Sequence, residues 1–491
     1  MSPMNLGESI RHGAKWMLGG QIASQAIQFI VGVILARLLL PADFGTLVTV
    51  QIYTGLAGFL AGGGMGQALI RAKDAKLEDF QVVFTLQLAT GILIYALFFI
   101  ASPSFASWYN NPVYIDLLRV SAISFLLRPF SNVPTAWLIR EMRFRQRVLI
   151  DLVLAPVTSA VPIILAWQHF GVWSLVIGGL ASMVVTIVAL FIVTPFRPAA
   201  RFNAALTKEL ALYSFKVTSN DIVSYIRGQT PNFILGRLQG PAIVGLFNKA
   251  DSLAKMPSLV SGSIYDSVFR GLAKTQDDKD TSRYLYFRTI TLLTVYMLPM
   301  YVGLTWLAEP FVRFVYGANW LQSATPLSIL SLGGVFVCIG HPSGAVLAAH
   351  NWLGREIVIQ AITLALVAIA CVVGIHWGLV GVSWGLLAAW AYSTLHMNWL
   401  ASRCIGAKFK ELFLSLGPGV LLNAILCIAL FLIDQLVPPH LREQVPVVYL
   451  LLMSAGGATV FALCFLFLPI PALASESAKW RKMLGPTRRR V

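Results

Sequence analysis

At 491 residues, 57% hydrophobic and only 12% charged, the chain has a mean hydropathy of +0.74, whereas a soluble globular domain is about one-quarter charged. No water-soluble core of this length could bury so much apolar surface, so the bilayer is the relevant solvent. The net charge of +16 points to membrane lipid headgroups and not to nucleic acid, because the basic residues form short clusters between apolar runs and lack the interleaved exposed aromatics of a nucleic-acid face.

The N-terminal stretch, residues 1–13, is polar, and the first apolar run is too long for a signal-peptide core and has no convincing cleavage site. No segment is therefore expected to be removed. A span needs roughly 20 apolar residues to cross about 30 Å of hydrocarbon, and by that ruler the sequence predicts about fourteen transmembrane helices. They fall near 15–39, 45–65, 81–101, 115–139, 148–168 and 172–194, then near 214–236, 242–268, 289–308, 325–349, 357–376 and 379–400, with a final pair near 414–436 and 447–469.

Lys and Arg accumulate in cytoplasmic loops when helices are counted correctly, and here they alternate. With a cytoplasmic N-terminus the inner segments hold 27 of the 37 basic residues, from Arg11 and Lys15 to the tail between Lys479 and Arg490, against only Arg37, Arg237, Arg313 and Arg442 outside. The expected location is a bacterial inner membrane, multi-pass, with both termini cytoplasmic.

An internal repeat supports a two-lobe plan. Ile34-Leu-Ala-Arg-Leu-Leu-Leu-Pro-Ala-Asp-Phe-Gly45 lies 200 residues before Ile234-Leu-Gly-Arg-Leu-Gln-Gly-Pro-Ala-Ile-Val-Gly245, and seven of the twelve positions are identical. Both copies close an odd-numbered helix, turn at a proline and enter the next helix, as in a parallel repeat about an axis along the membrane normal. The expected fold is an all-α polytopic membrane protein. It has a six-helix lobe over 1–195, a cytoplasmic linker over 196–213, a second six-helix lobe over 214–402 around a central cavity, and two extra helices with a basic tail over 403–491.

Charges within the helices are the pointers to function, since each costs at least ~2.5–3.5 kcal/mol at mid-bilayer and normally faces a bundle interior or a watery cavity. The fourth helix carries Arg128 beside Pro129, Asn132 and Pro134. The seventh carries Lys216, Asn220 and Arg227 within roughly 40° of one another at 100° per residue, with Asp221 nearby. On the eighth, Asn248, Asp251 and Lys255 share a face, with Lys249 beside them. Asp251 and Lys255, four residues apart, could simply neutralise each other. Cations still exceed carboxylates, so the substrate-binding candidates are Arg128, Lys216, Arg227, Lys249 and Lys255. Asp221 and Asp251 are candidates for ion coupling or ion pairing, and Asn132, Asn220 and Asn248 for polar cavity lining. Arg119 and Asp266 lie near helix ends and snorkel to the headgroups. A cationic cavity calls for an anionic cargo, and the planar fork of arginine suits phosphate.

No catalytic, metal or cofactor chemistry is expected. The five cysteines, Cys338, Cys371, Cys404, Cys427 and Cys464, lack paired spacing, and the seven histidines lack zinc-ligand spacing. Gly62-Gly-Gly64 lacks the strand and the Lys-Ser/Thr of a phosphate loop and reads as close helix packing.

The chain resembles bacterial polysaccharide flippases of the multidrug/oligosaccharidyl-lipid/polysaccharide exporter superfamily. One stretch of likeness runs from Gly13-Ala-Lys-Trp16 through Leu35-Ala-Arg-Leu-Leu-Leu-Pro-Ala-Asp-Phe-Gly45 to Gly66-Gln-Ala-Leu-Ile-Arg71. The other runs from Gly236-Arg-Leu-Gln-Gly-Pro-Ala-Ile-Val-Gly245 through Leu246-Phe-Asn-Lys-Ala-Asp-Ser-Leu-Ala-Lys-Met-Pro257. The resemblance implies alternating access and transport of undecaprenyl-pyrophosphate-linked oligosaccharide from the cytoplasmic to the periplasmic leaflet, with cavity Arg and Lys binding the pyrophosphate. Such a flippase would work beside a polysaccharide polymerase and other assembly proteins in exopolysaccharide or lipopolysaccharide synthesis. A multidrug or organic-ion exporter is the alternative within the superfamily, disfavoured for cationic drugs by the excess of cavity cations. A membrane glycosyltransferase or polymerase is disfavoured because the longest outer loops, 102–114 and 310–324, are short and carry only Arg313 as a charge.

Overall fold

The computed structural model describes residues 6–62, 64–71, 76–258, 268–275, 278–438, 440–441 and 445–484, and every regular element among them is helical. The chain divides into two compact units, Met1–Gly245 and Leu246–Val491. In the first lie α1 (Leu6–Leu38), α2 (Pro41–Gly62), the short α3 (Met65–Arg71), α4 (Leu77–Trp108), α5 (Val113–Arg140), α6 (Phe144–Trp167), α7 (Val172–Val193) and α8 (Ala204–Leu238), and α9 (Pro241–Lys255) crosses into the second. The second continues with α10 (Lys279–Tyr296), α11 (Leu298–Val315), α12 (Ala324–Ser331), α13 (Gly334–Ala349), α14 (Leu353–Gly374), α15 (Gly378–Ile405), α16 (Phe409–Leu436), α17 (Pro446–Phe467) and α18 (Ala474–Leu484).

Among the described residues nine helical stretches are long and apolar enough to cross a membrane, or ten if the pair Ala318–Ser331 and Gly334–Ala349, bent by 48°, is one span. Two of the nine, Lys279–Val315 and Gly354–Ile405, each contain two successive helices. Long helices α5 and α8 fall outside this set because charges such as Arg128, Asp221 and Arg227 dilute their apolar character. The all-helical membrane architecture expected from the composition is therefore present.

In the first unit, α4 and α5 pack as an antiparallel pair, and the join explains how α5 tolerates proline. Pro129 has no N–H for the carbonyl of Phe125 four residues back. That carbonyl lies instead against Gly91 of α4, where a Cβ would stand only 2.5 Å from the oxygen. Phe125, Ala122, Ala61 and Ile94 fill the space around this contact. Near the other end of the pair, Tyr114, Leu117 and Leu118 of α5 pack with Val50, Ala106, Val172 and Val176.

Both copies of the sequence repeat have the same local structure. α1 and α8 each stop at a leucine (Leu38, Leu238), two residues intervene, and α2 and α9 each begin at a proline (Pro41, Pro241). Proline suits a first helical position, where its missing N–H would have had no partner. The first turns of α2 and α9 are also pressed together reciprocally: a Cβ on Gly45 would collide with the carbonyl of Pro241, and one on Gly245 with the carbonyl of Pro41. The glycine that recurs in the repeat is the residue that permits this crossing.

In the second unit, a core of Leu272, Tyr286, Ile290, Val346, Leu347, Ala401 and Ile405 joins α10, α13 and α15. Its centre is polar but connected: Asn398 Nδ2 donates to the fully buried Tyr286 hydroxyl at 2.6 Å, which bonds Ser343 Oγ at 2.8 Å. The guanidinium of Arg283 forks onto Glu411, with Nε to Oε2 at 2.6 Å, and so ties α10 to α16. The five cysteines are free thiols.

Candidate functional site

The clearest functional geometry in the first unit is where α2, α5 and α8 meet. Arg128 projects from the middle of α5 towards α2, and its guanidinium lies over the ring of Phe125 at 4.9 Å. Space for it exists because position 58 of α2 is glycine; a Cβ there would strike Nη1 of Arg128. One helical turn earlier, Gly55 makes a second notch, into which the hydroxyl of Tyr225 on α8 reaches. Tyr225 donates to the carbonyl of Gln51 at 2.7 Å, and its ring meets Phe59 edge-on at 5.4 Å. Glycines three apart lie on one helix face, so α2 offers a bare backbone stripe to an arginine from one neighbour and a tyrosine from another.

Among the described residues no carboxylate pairs with Arg128, and Tyr225 is the one ionisable group close enough to act on it. An arginine carries five N–H donors in a planar fork. Held here against an aromatic ring and bare glycine, with no carboxylate, it can receive a phosphate oxygen pair. Asn132, one turn along the same face of α5, is exposed.

The remaining candidates differ from one another. On α8, Arg227 is half-buried and Asp221 exposed, and the side chains of Lys216 and Asn220 lie outside the described residues. On α9, Lys249 is set in an aromatic corner of the second unit, its ammonium 4.7 Å from the ring of Tyr316 and 5.3 Å from that of the fully buried Trp320. Lys255 and Asp251 form an ion pair at 2.5 Å; Asp251 is buried and Lys255 largely open. Neutralisation within one helix face, the plainer of the two readings of that spacing, is thus what their geometry provides. Asn248 is half-buried beside them.

Sequence reasoning did not single out Tyr225, the paired notches Gly55 and Gly58, or the aromatic corner around Lys249. The Gly-x-x-Gly spacing in α2 was the available signal, but what fills the notches depends on which helices lie alongside.

Residues 34–325 match the family model described as polysaccharide biosynthesis protein, more than half of the chain. The chain belongs to this family. Among curated relatives, this polysaccharide biosynthesis protein is 23% identical to the succinoglycan biosynthesis transport protein ExoT of Rhizobium meliloti, over 100% of this chain and 98% of the relative. It is 22% identical to the teichuronic acid biosynthesis protein TuaB of Bacillus subtilis, over 97% and 98% of the two chains. Among solved structures, the lipid II flippase MurJ in an inward closed conformation superposes with a TM-score of 0.73 at 16% identity, covering 95% of this chain and 100% of that one. The family member thus has the fold of a membrane transporter.

Proposed function

We propose that the protein is a flippase that carries undecaprenyl-pyrophosphate-linked oligosaccharide from the cytoplasmic to the periplasmic leaflet of a bacterial inner membrane, for assembly of a surface polysaccharide. The observation that carries this reading is Arg128: a guanidinium midway along a helix, seated on a glycine stripe, with no carboxylate partner among the described residues. A cation held at that depth costs at least ~2.5–3.5 kcal/mol, and a diphosphate offsets that cost by charge-assisted, bidentate hydrogen bonds. The names of ExoT, a succinoglycan biosynthesis transport protein, and TuaB, a teichuronic acid biosynthesis protein, support a role in polymer biosynthesis and transport.

In this mechanism no covalent chemistry occurs. Arg128 takes the diphosphate, with Arg227 and Lys216 as further cationic binding candidates in the first unit and Lys249 as one in the second. The sugar crosses through water-lined space while the lipid tail stays in the bilayer. Two lobes, 1–195 and 214–402 about the 196–213 linker, rock to expose the site alternately, and 403–491 contributes two further helices. Asp221 is the carboxylate available for ion coupling, since Asp251 is engaged by Lys255. Both termini are cytoplasmic.

The test is complementation of a deletion strain. Arg128→Ala, and more fully Arg128→Ala with Arg227→Ala, is expected to abolish surface polymer while the lipid-linked intermediate accumulates and the protein stays in the membrane. Unchanged export by the double variant removes the binding proposal.

A further inference from the structure

Where α5 turns into α6, a second arginine reaches the helix face that carries Arg128. Arg128, Asn132 and Thr135 fall at i, i+4 and i+7 of α5 and so share one face, which is open at the exposed Asn132. Arg147, one turn into α6, meets the end of that face: its Nη1 donates to Thr135 Oγ1 at 3.1 Å. Its Nε lies 3.3 Å from Oδ2 of Asp151, one turn further along α6. The carboxylate thus meets a single nitrogen and not the fork, and among the described residues Nη2 has no partner. The two side chains are 33% and 38% exposed. An ion pair this open contributes little to stability, so exchanging the carboxylate for another anion costs the fold little.

We propose that Arg147 is a second diphosphate-binding residue, at the rim of the α5 face, and that the cargo's phosphate displaces Asp151 from it. This rests on the reading of Arg128 as the diphosphate site. Phosphate offers the guanidinium fork the same paired oxygens as a carboxylate does, and a diphosphate carries more charge than Asp151. Thr135 lies seven residues from Arg128, about 10 Å of helix rise. That is more than a diphosphate spans, so the two guanidinia hold the headgroup in succession. Asp151 keeps the empty guanidinium beside α5 and, by competing for it, makes the rim site the weaker of the two. Passage between successive sites requires that each bind loosely enough to release.

Titrating the full chain in nanodiscs with undecaprenyl pyrophosphate tests this, because the two partners of the pair should shift affinity in opposite directions. Arg147→Ala should weaken binding several-fold, and Arg147→Lys should recover only part of the loss, since lysine lacks the fork. Asp151→Asn, which removes the competitor, should tighten binding several-fold. Glu141→Gln makes the same change of net charge on the exposed turn between the helices and should leave affinity unchanged. A pair that serves only the fold would instead lower the melting point in both Arg147→Ala and Asp151→Asn and leave affinity alone. That result, shifts of one sign, or equal tightening by Glu141→Gln overturns the inference, while weakening by Arg128→Ala leaves the first site standing. A wild type that does not bind the diphosphate overturns both.

Discussion

Arg128 illustrates what could and could not be read from residue types alone. Its depth and its company of Pro129, Asn132 and Pro134 were legible, because a charge in an apolar run is conspicuous at any alignment of the helices. Its setting was not, because Phe125, Gly58 and Tyr225 come together only through the packing of three helices. Lys249 makes the same point from the other side: spacing placed it beside a polar face, but the rings of Tyr316 and Trp320 that receive it are about seventy residues away. The notches permit a specific prediction. Gly58→Leu fills the space of the guanidinium and should reduce surface polymer output as strongly as Arg128→Ala, while Gly66→Leu, whose added Cβ meets only the methyl of Ala136 at 3.7 Å, should leave the guanidinium seated and output close to wild type. Quantifying surface polymer in the complemented deletion strain measures both.

Among the elements, the repeated turn and the C-terminal helix make separate predictions. The Pro-x-x-x-Gly of each repeat copy was visible in the sequence as identity, and its reason is the reciprocal crossing of α2 and α9. Gly45→Ala and Gly245→Ala each force backbone apart and should destabilise by about 1–3 kcal/mol, as overpacking does elsewhere. Thermal melts of the purified variants read this; unchanged melting points would mean the crossing is not held in the native state.

α18 is fastened through Glu476, which accepts from Lys479 Nζ at 3.0 Å and from Arg288 Nη2 of α10 at 3.0 Å. Arg288 also reaches the carbonyl of Ala472 at 2.6 Å, and Trp480 donates to the Tyr296 hydroxyl at 3.0 Å. The hydrogen bond from Lys479, and secondarily that from Arg288, hold the Glu476 carboxyl below the ordinary glutamate value against the opposing effect of burial. A depressed carboxylate pKa contributes stability above the unfolded value that is lost as pH falls through the folded one. α18 should therefore stay attached from neutral pH down to about 4, near the ordinary glutamate pKa, and loosen only below it. Hydrogen exchange of residues 474–484 across that range should show the step in the wild type and none in Glu476→Gln.

For the whole molecule, the membrane class followed from composition alone, because no arrangement of these residues in water buries them. The alternation of basic loops then predicts an orientation that can be measured. Single cysteines in a cysteine-free background at Ser104 or Asn319 should react with an impermeant maleimide added to intact cells, and cysteines at Ala199 or Ala407 should react only after lysis. The reverse pattern would invert the topology on which the transport direction rests. Less legible was the path of the chain through its second half. The break between α10 and α11 and the 48° bend between Ala318–Ser331 and Gly334–Ala349 leave no mark in hydropathy, which reports how apolar a run is but not whether its axis is straight.

That a guanidinium in the bundle recognises a lipid-linked diphosphate is tested most directly by equilibrium binding. Wild-type and Arg128→Ala protein in nanodiscs should be titrated with undecaprenyl pyrophosphate. Losing one partner of a desolvated charge pair costs about 2 kcal/mol or more, so the variant should bind about 30-fold more weakly, and equal affinities would contradict the account.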